Sequence, residues 1–233
     1  EWDAIVCFDE RYKKFMAKAF PEDKIVIISF PCHPPLHGDQ KEARLRLGLP
    51  LDKKIVFAYG FNILFNHIEL FPVMERLADD YPFSLVILAH HDPTILESKP
   101  DFLILRNEMP SEDRLYTYLH ASDVYVYYGR ISVGVGVSSC AATCLGAGRP
   151  VLAPGSCKYF ELSGKEVIKY GDLGELEQRL RDVFNGAEYV QESLKAAEEY
   201  AVRNSGTEIA KQFIELFDKI LGKPAHASSA RRS

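Results

Sequence analysis

Residues 133–155, VGVGVSSCAATCLGAGRPVLAPG, hold the residue types in this chain best suited to binding chemistry. Gly134 and Gly136 let backbone approach a ligand closely, and Ser138 and Ser139 add hydroxyl donors. The run that follows, through Thr143, reads as the opening of a helix, whose first N–H groups have no intrahelical acceptor. Such a loop suits a diphosphate. The same residues also make a tight strand-to-helix turn in which the serines only cap the helix. The glycine spacing matches neither the dinucleotide-binding G-x-G-x-x-G nor the P-loop, so both readings stay open on these residues alone. Arg130, just ahead of the loop, is either a cation for the same ligand or a surface arginine.

The remaining polar candidates are sparser. His90 and His91 end an apolar run and form a pair without a third residue spaced for a metal, so no metal site is expected. His67 opens a helical stretch, where a capping or surface role competes with one toward an acceptor; Lys158 follows a strand. Five cysteines, none in a C-x-x-C pair, read as buried thiols of a reducing compartment, and no cofactor is implied. A net charge of −5 gives no electrostatic reason to expect nucleic acid or an anionic membrane. No apolar run approaches the ~20 residues of a membrane span. A cytoplasmic protein, or one peripheral at the inner membrane face, is expected.

The elements that must position these residues follow a regular alternation. Apolar, β-branched runs at 4–8, 23–30, 53–60, 83–91, 101–107, 122–128, 150–154 and 166–170 read as strands. Amphipathic stretches at 10–20, 66–81, 111–121, 138–147, 173–185, 188–203 and 205–221 read as helices, as does the short run before Gly48. The pattern predicts an α/β, Rossmann-like, doubly wound parallel sheet with closing C-terminal helices over 38–222. A cluster of Pro31, Pro34 and Pro35 marks a linker, and 223–233 is expected to be a disordered tail. In such sheets ligands sit beyond the carboxyl ends of the strands, so 60–65, 89–92, 107–110, 128–139 and 154–159 are the candidate segments.

The run ASDVYVYYGR, the segment VSSCAATCLGAGRPVLAPGSCKYFEL and the helices to about residue 221 resemble the C-terminal domain of GT-B glycosyltransferases, most closely the retaining group-1 family. AIVCFDERYKKFMAKAFPEDKIVIISFPCHP resembles that family's exit from its N-terminal, acceptor-binding domain, which makes 1–37 the end of such a domain plus linker. The chain opens at Glu1 without a methionine, and a longer protein upstream is an open alternative. The resemblance implies a nucleotide-diphosphate sugar, UDP- or GDP-linked, and glycosyl transfer to an unknown acceptor. It places the donor against Gly60 and Asn62 after the first strand of the domain, Asn107 and Met109 beside the base, and Arg130, Gly134, Gly136, Val137, Ser138, Ser139 and Thr143 around the diphosphate, sugar and ribose.

The chain departs from that family where chemistry is concentrated. The Arg and Lys-Gly that neutralise the diphosphate fall near Phe61, Asn66 and His67, and neither cation is present. The family's two glutamates fall on Val135 and Thr143, and no acidic residue lies between Arg130 and Glu161. Groups of this kind each contribute about 2–4 kcal/mol to a transition state that develops charge on sugar and diphosphate. The alternative is therefore a catalytically inactive relative that serves as a nucleotide-binding or partner-binding module. No catalytic residue is assigned. An epimerase or a phosphorylase is a weaker third reading, and the latter lacks a visible pyridoxal-lysine motif.

Overall fold

The computed structural model describes residues 2–59, 68–89, 99–128, 136–155, 162 and 165–222. Eight described strands fall into two sheets. β1 (Ile5–Cys7) and β2 (Ile25–Ile27) pair in parallel as a two-stranded sheet, with α1 (Glu10–Met16) between them in sequence. The other six are β3 (Lys54–Tyr59), β4 (Phe83–Ala89), β5 (Leu103–Asn107), β6 (Val124–Val126), β7 (Val151–Pro154) and β8 (Ile168–Tyr170). They form one parallel sheet in the order β5-β4-β3-β6-β7-β8.

Counted from β3, that order is 3-2-1-4-5-6, the doubly wound arrangement of dinucleotide-binding sheets. The expected fold class is therefore what the chain adopts. The β-branched runs become buried strands because both faces are covered, so successive side chains enter different halves of the core. Ile55 and Phe57 pack into one layer, Val56 and Ala58 into the other. The first layer is roofed by α2 (Gln40–Leu47), α4 (Glu112–Ala121) and α5 (Ser139–Leu145); the second by α3 (Phe71–Ala78) and α6 (Leu173–Phe184). α7 (Glu188–Arg203) begins in the second layer at Val190 and ends in the first at Ala197 and Ala201, so it passes around the β8 edge. α8 (Gly206–Ile220) buries Ile209 but leaves Ile214, Phe217 and Leu221 exposed.

Two glycines have structural reasons. Gly48 ends α2 in the left-handed region at φ 61, and its N–H reaches the Arg44 and Leu45 carbonyls, which is how the predicted stop works. At Gly146 a Cβ would come within 2.7 Å of the His33 carbonyl oxygen, so only glycine lets the proline-rich linker pass over the end of α5. The Leu36 N–H completes that contact at 2.8 Å from the Gly146 carbonyl. Among the described residues no helix is long and apolar enough to cross a membrane.

Candidate functional site

Strand order reverses between β3 and β6: β4 lies on the far side of β3, and β7 on the far side of β6. A crevice at their carboxyl ends is the general ligand position of this fold. Register brings Tyr59, Leu88 and Arg106 into one row across β3, β4 and β5, with Asn107 one residue beyond. Asn107 is exposed, and Met109 is 74% exposed. β3 and β5 are two strand spacings apart, about 10 Å.

The core beneath these strand ends is aromatic. Phe57 stacks on Tyr118 at 5.7 Å between ring centres and lies 6.0 Å from Tyr125. The hydroxyls at this end serve outgoing backbone carbonyls: Tyr125 donates to Tyr59 O at 3.0 Å and Tyr170 to Tyr127 O at 2.9 Å. Burial pushes the Tyr125 and Tyr59 phenols up, and neighbouring Cys144 and Cys140 reinforce this, so both stay neutral donors. Tyr128 donates to Glu69 at 2.5 Å, and Tyr118 donates to Glu108, which also pairs with Arg114 at 2.6 Å.

The glycine-serine segment arrives at the start of α5. Ser138 is the N-cap, with φ −91 and ψ 107, and its Oγ accepts the Ala141 N–H at 3.2 Å. Thr143 donates its hydroxyl to the Ser139 carbonyl at 3.0 Å, and its own carbonyl accepts from Tyr116 at 3.4 Å. The capping role of the turn is thus present in the geometry. The N–H groups of Ser139 and Cys140 precede the first i→i−4 bond, made by Ala142 to Ser138 O. With seven residues, α5 offers local N–H donors and little macrodipole. Burial raises the Cys140 thiol, so it is not a thiolate nucleophile at neutral pH.

The structure brings Gly136, Val137, Ser138, Ser139 and Thr143 together beside the β3–β6 reversal, and sets Asn107 and Met109 across β4 from it. Gly60, Asn62, Arg130 and Gly134 lie outside the described residues, as do His67, His90, His91, Lys158 and Cys157. Arg149, just after α5, donates to the His120 carbonyl at 2.8 Å, in the last turn of α4.

One group escaped sequence reasoning. Arg11, on α1, donates to the Gly136 carbonyl at 3.4 Å while its guanidinium grips Asp9 at 2.5 Å. Burial acts to raise the Asp9 carboxyl, but Arg11 and two backbone N–H donors outweigh it and hold the carboxyl low. The contact spans 125 positions, and no local pattern announces it. Among the described residues no group of three or more His, Cys, Asp or Glu side chains could hold a metal.

No protein-family model matches the chain. Solved structures do share its fold. A glycosyltransferase from Rickettsia africae superposes with a TM-score of 0.74 at 13% identity, over 95% of this chain and 64% of its own. An α,α-trehalose-phosphate synthase (UDP-forming) from Burkholderia vietnamiensis gives 0.67 at 11% identity, over 95% and 61%. The C-terminal domain of a group 1 family glycosyl transferase from Francisella tularensis gives 0.56 at 11% identity, over 72% of this chain and 93% of its own. The chain therefore has the glycosyltransferase-like α/β fold of GT-B enzymes, matching a C-terminal domain. It spans about three-fifths of the length of the two longer neighbours.

Proposed function

We propose that this chain is the donor-binding part of a glycosyltransferase-like protein and holds a nucleotide-diphosphate sugar, UDP- or GDP-linked, in the β3–β6 crevice for transfer to an acceptor. The observation that carries this reading is the strand-order reversal with residues 136–139 lying against it. The Ser139 and Cys140 N–H groups would meet the diphosphate, with Arg130 as the cation. Asn107 and Met109 would flank the base. A UDP-forming neighbour supports the UDP branch.

A facing acceptor domain belongs to the same proposal. A two-stranded sheet is too small to stand alone, and α8 exposes a row of large apolar side chains; both features suit a second α/β domain packed there. The free thiols of Cys7, Cys32, Cys140 and Cys144 suit a reducing, cytoplasmic setting.

The test is thermal shift with UDP, GDP and ADP and their sugars. A ligand at 100 times its Kd stabilises by about 2.7 kcal/mol. Gly136→Val should remove the shift by blocking backbone approach, and a shift unchanged in that variant puts the ligand elsewhere. A second reading, binding without catalysis, is favoured by the carboxylates. The sequence has none between Arg130 and Glu161, and Asp9, Glu69 and Glu108 are each engaged by an arginine or a tyrosine. Nucleotide binding by the full-length protein without turnover of any bound sugar would establish it.

A further inference from the structure

A cavity lies away from the β3–β6 reversal, at the open edge of the sheet. β8 is the last strand, three spacings (about 15 Å) from β3, and the cavity sits at its amino end, whereas the crevice lies beyond the carboxyl ends. Its volume is about 530 Å³, within the range of small-molecule sites. Tyr170 O accepts from Gly155 and so faces β7. By alternation along the strand, the backbone N–H and C=O of Lys169 turn outward to the cavity side. An added strand cannot use them, because α7 already runs past this edge.

The lining has a consistent chemistry. Val167, Ile168 and Ala196 supply apolar surface, and Lys165, Lys169 and Arg179 supply three cations against one carboxylate, Glu192. The Arg179 guanidinium lies over the Tyr189 ring at 5.5 Å, which restrains it, and its Nε is buried with no hydrogen-bond partner. Its nearest acid, Asp182, is 3.7 Å away and already accepts from Tyr189 at 2.6 Å and Gln178 at 2.8 Å. Lys169 uses one of its three donors on the Leu162 carbonyl at 2.8 Å. An arginine restrained over Tyr189, two lysines and an apolar wall suit a doubly charged anion on an organic body.

We propose that this cavity binds a phosphomonoester, the phosphoryl group held by Arg179, Lys169 and Lys165 and the organic body lying on Val167, Ile168 and Ala196. The site is separate from the nucleotide crevice and stands whether or not that crevice binds a donor.

The test is an NMR titration of the 233-residue chain with phenyl phosphate, inorganic phosphate and benzoate. Phenyl phosphate should give saturable shifts at residues 165–169 and 189–196 and bind more tightly than either comparator. Arg179→Gln and Lys169→Gln should each weaken it about tenfold, whereas Lys195→Gln, an exposed position on α7 outside the cavity, should leave affinity unchanged. If Arg179→Gln lowers the melting temperature appreciably, Lys169→Gln decides. Absent or unsaturable shifts, shifts confined to 136–139, tighter binding of benzoate, or an equal loss in Lys195→Gln would each overturn the proposal.

Discussion

At the amino ends of β3 and β6, the Asp123 carboxylate accepts the Ile55 N–H at 2.6 Å and the Arg44 guanidinium at 2.7 Å. Arg44 is nearly buried and spends its remaining donors on the Ala121 and Lys53 carbonyls, both at 2.9 Å. At the carboxyl ends of the same strands there is no such lock among the described residues. Tyrosine hydroxyls satisfy the outgoing carbonyls instead, and the start of α5 presents short polar side chains and first-turn N–H groups. The strands are the same; their two ends do different work. One end closes the fold with a charge pair whose desolvation is offset by saturating hydrogen bonds, while the other ties its outgoing carbonyls with tyrosine hydroxyls.

The contrast can be broken most forcefully at the lock. Asp123→Ala leaves Arg44 buried without its acid and should cost about 3–5 kcal/mol in chemical denaturation; a loss under 1 kcal/mol would mean that the amino end is not charge-locked. Next in size, Tyr125→Phe strips the Tyr59 carbonyl of its donor and should cost about 1–2 kcal/mol. Its effect on nucleotide affinity should be small, because the hydroxyl is committed to backbone.

Ser138→Ala removes the α5 cap for about 1 kcal/mol. If the segment also holds a diphosphate, thermal shift with nucleotide should shrink beyond that stability change; an unaltered shift would reduce the serine to a cap.

The smallest effect is a pH dependence at the locked end. His120 is buried against the Leu36 carbonyl at 2.7 Å, and burial, with Arg149 and His37 acting in the same direction, outweighs that hydrogen bond and lowers its pKa below the ordinary 6.5. A histidine depressed in the folded state binds protons more readily when unfolded. Its contribution is complete above pH 6.5 and is lost as pH falls through the lower folded value. Wild type should lose stability between pH 7 and pH 5.5 more steeply than His120→Gln. Parallel curves would remove His120 from the account.

The elements themselves were legible in the sequence. Gly48 stops α2, Ser111 caps α4 by accepting the Arg114 N–H, and the apolar runs fall on strands within a few residues of their expected ends. The ends shift where pairing, and not propensity, decides. VYVYY was expected to extend to Tyr128, but β6 stops at Val126, and the Tyr127 N–H makes a last bond to the Leu152 carbonyl at 2.8 Å. Of the candidate site, residues 136–139 and Asn107 could be named from glycine, serine and strand-end position. The partners that act on them could not. Arg11 reaches Gly136 from α1, and Arg44 meets Asp123 from 79 positions away, because side chains far apart in sequence have no local signature.

By itself the sequence determined which segments become strands or helices and that both faces of the central strands are buried, because period, caps and turns act over a few residues. Tertiary structure alone decided which strands became neighbours and so where the order reverses. It also decided that α7 would wrap the last edge and leave an open pocket there. Parallel pairing joins distant segments through crossovers, and the choice among partners is made by burial of whole faces, a property of the assembled sheet.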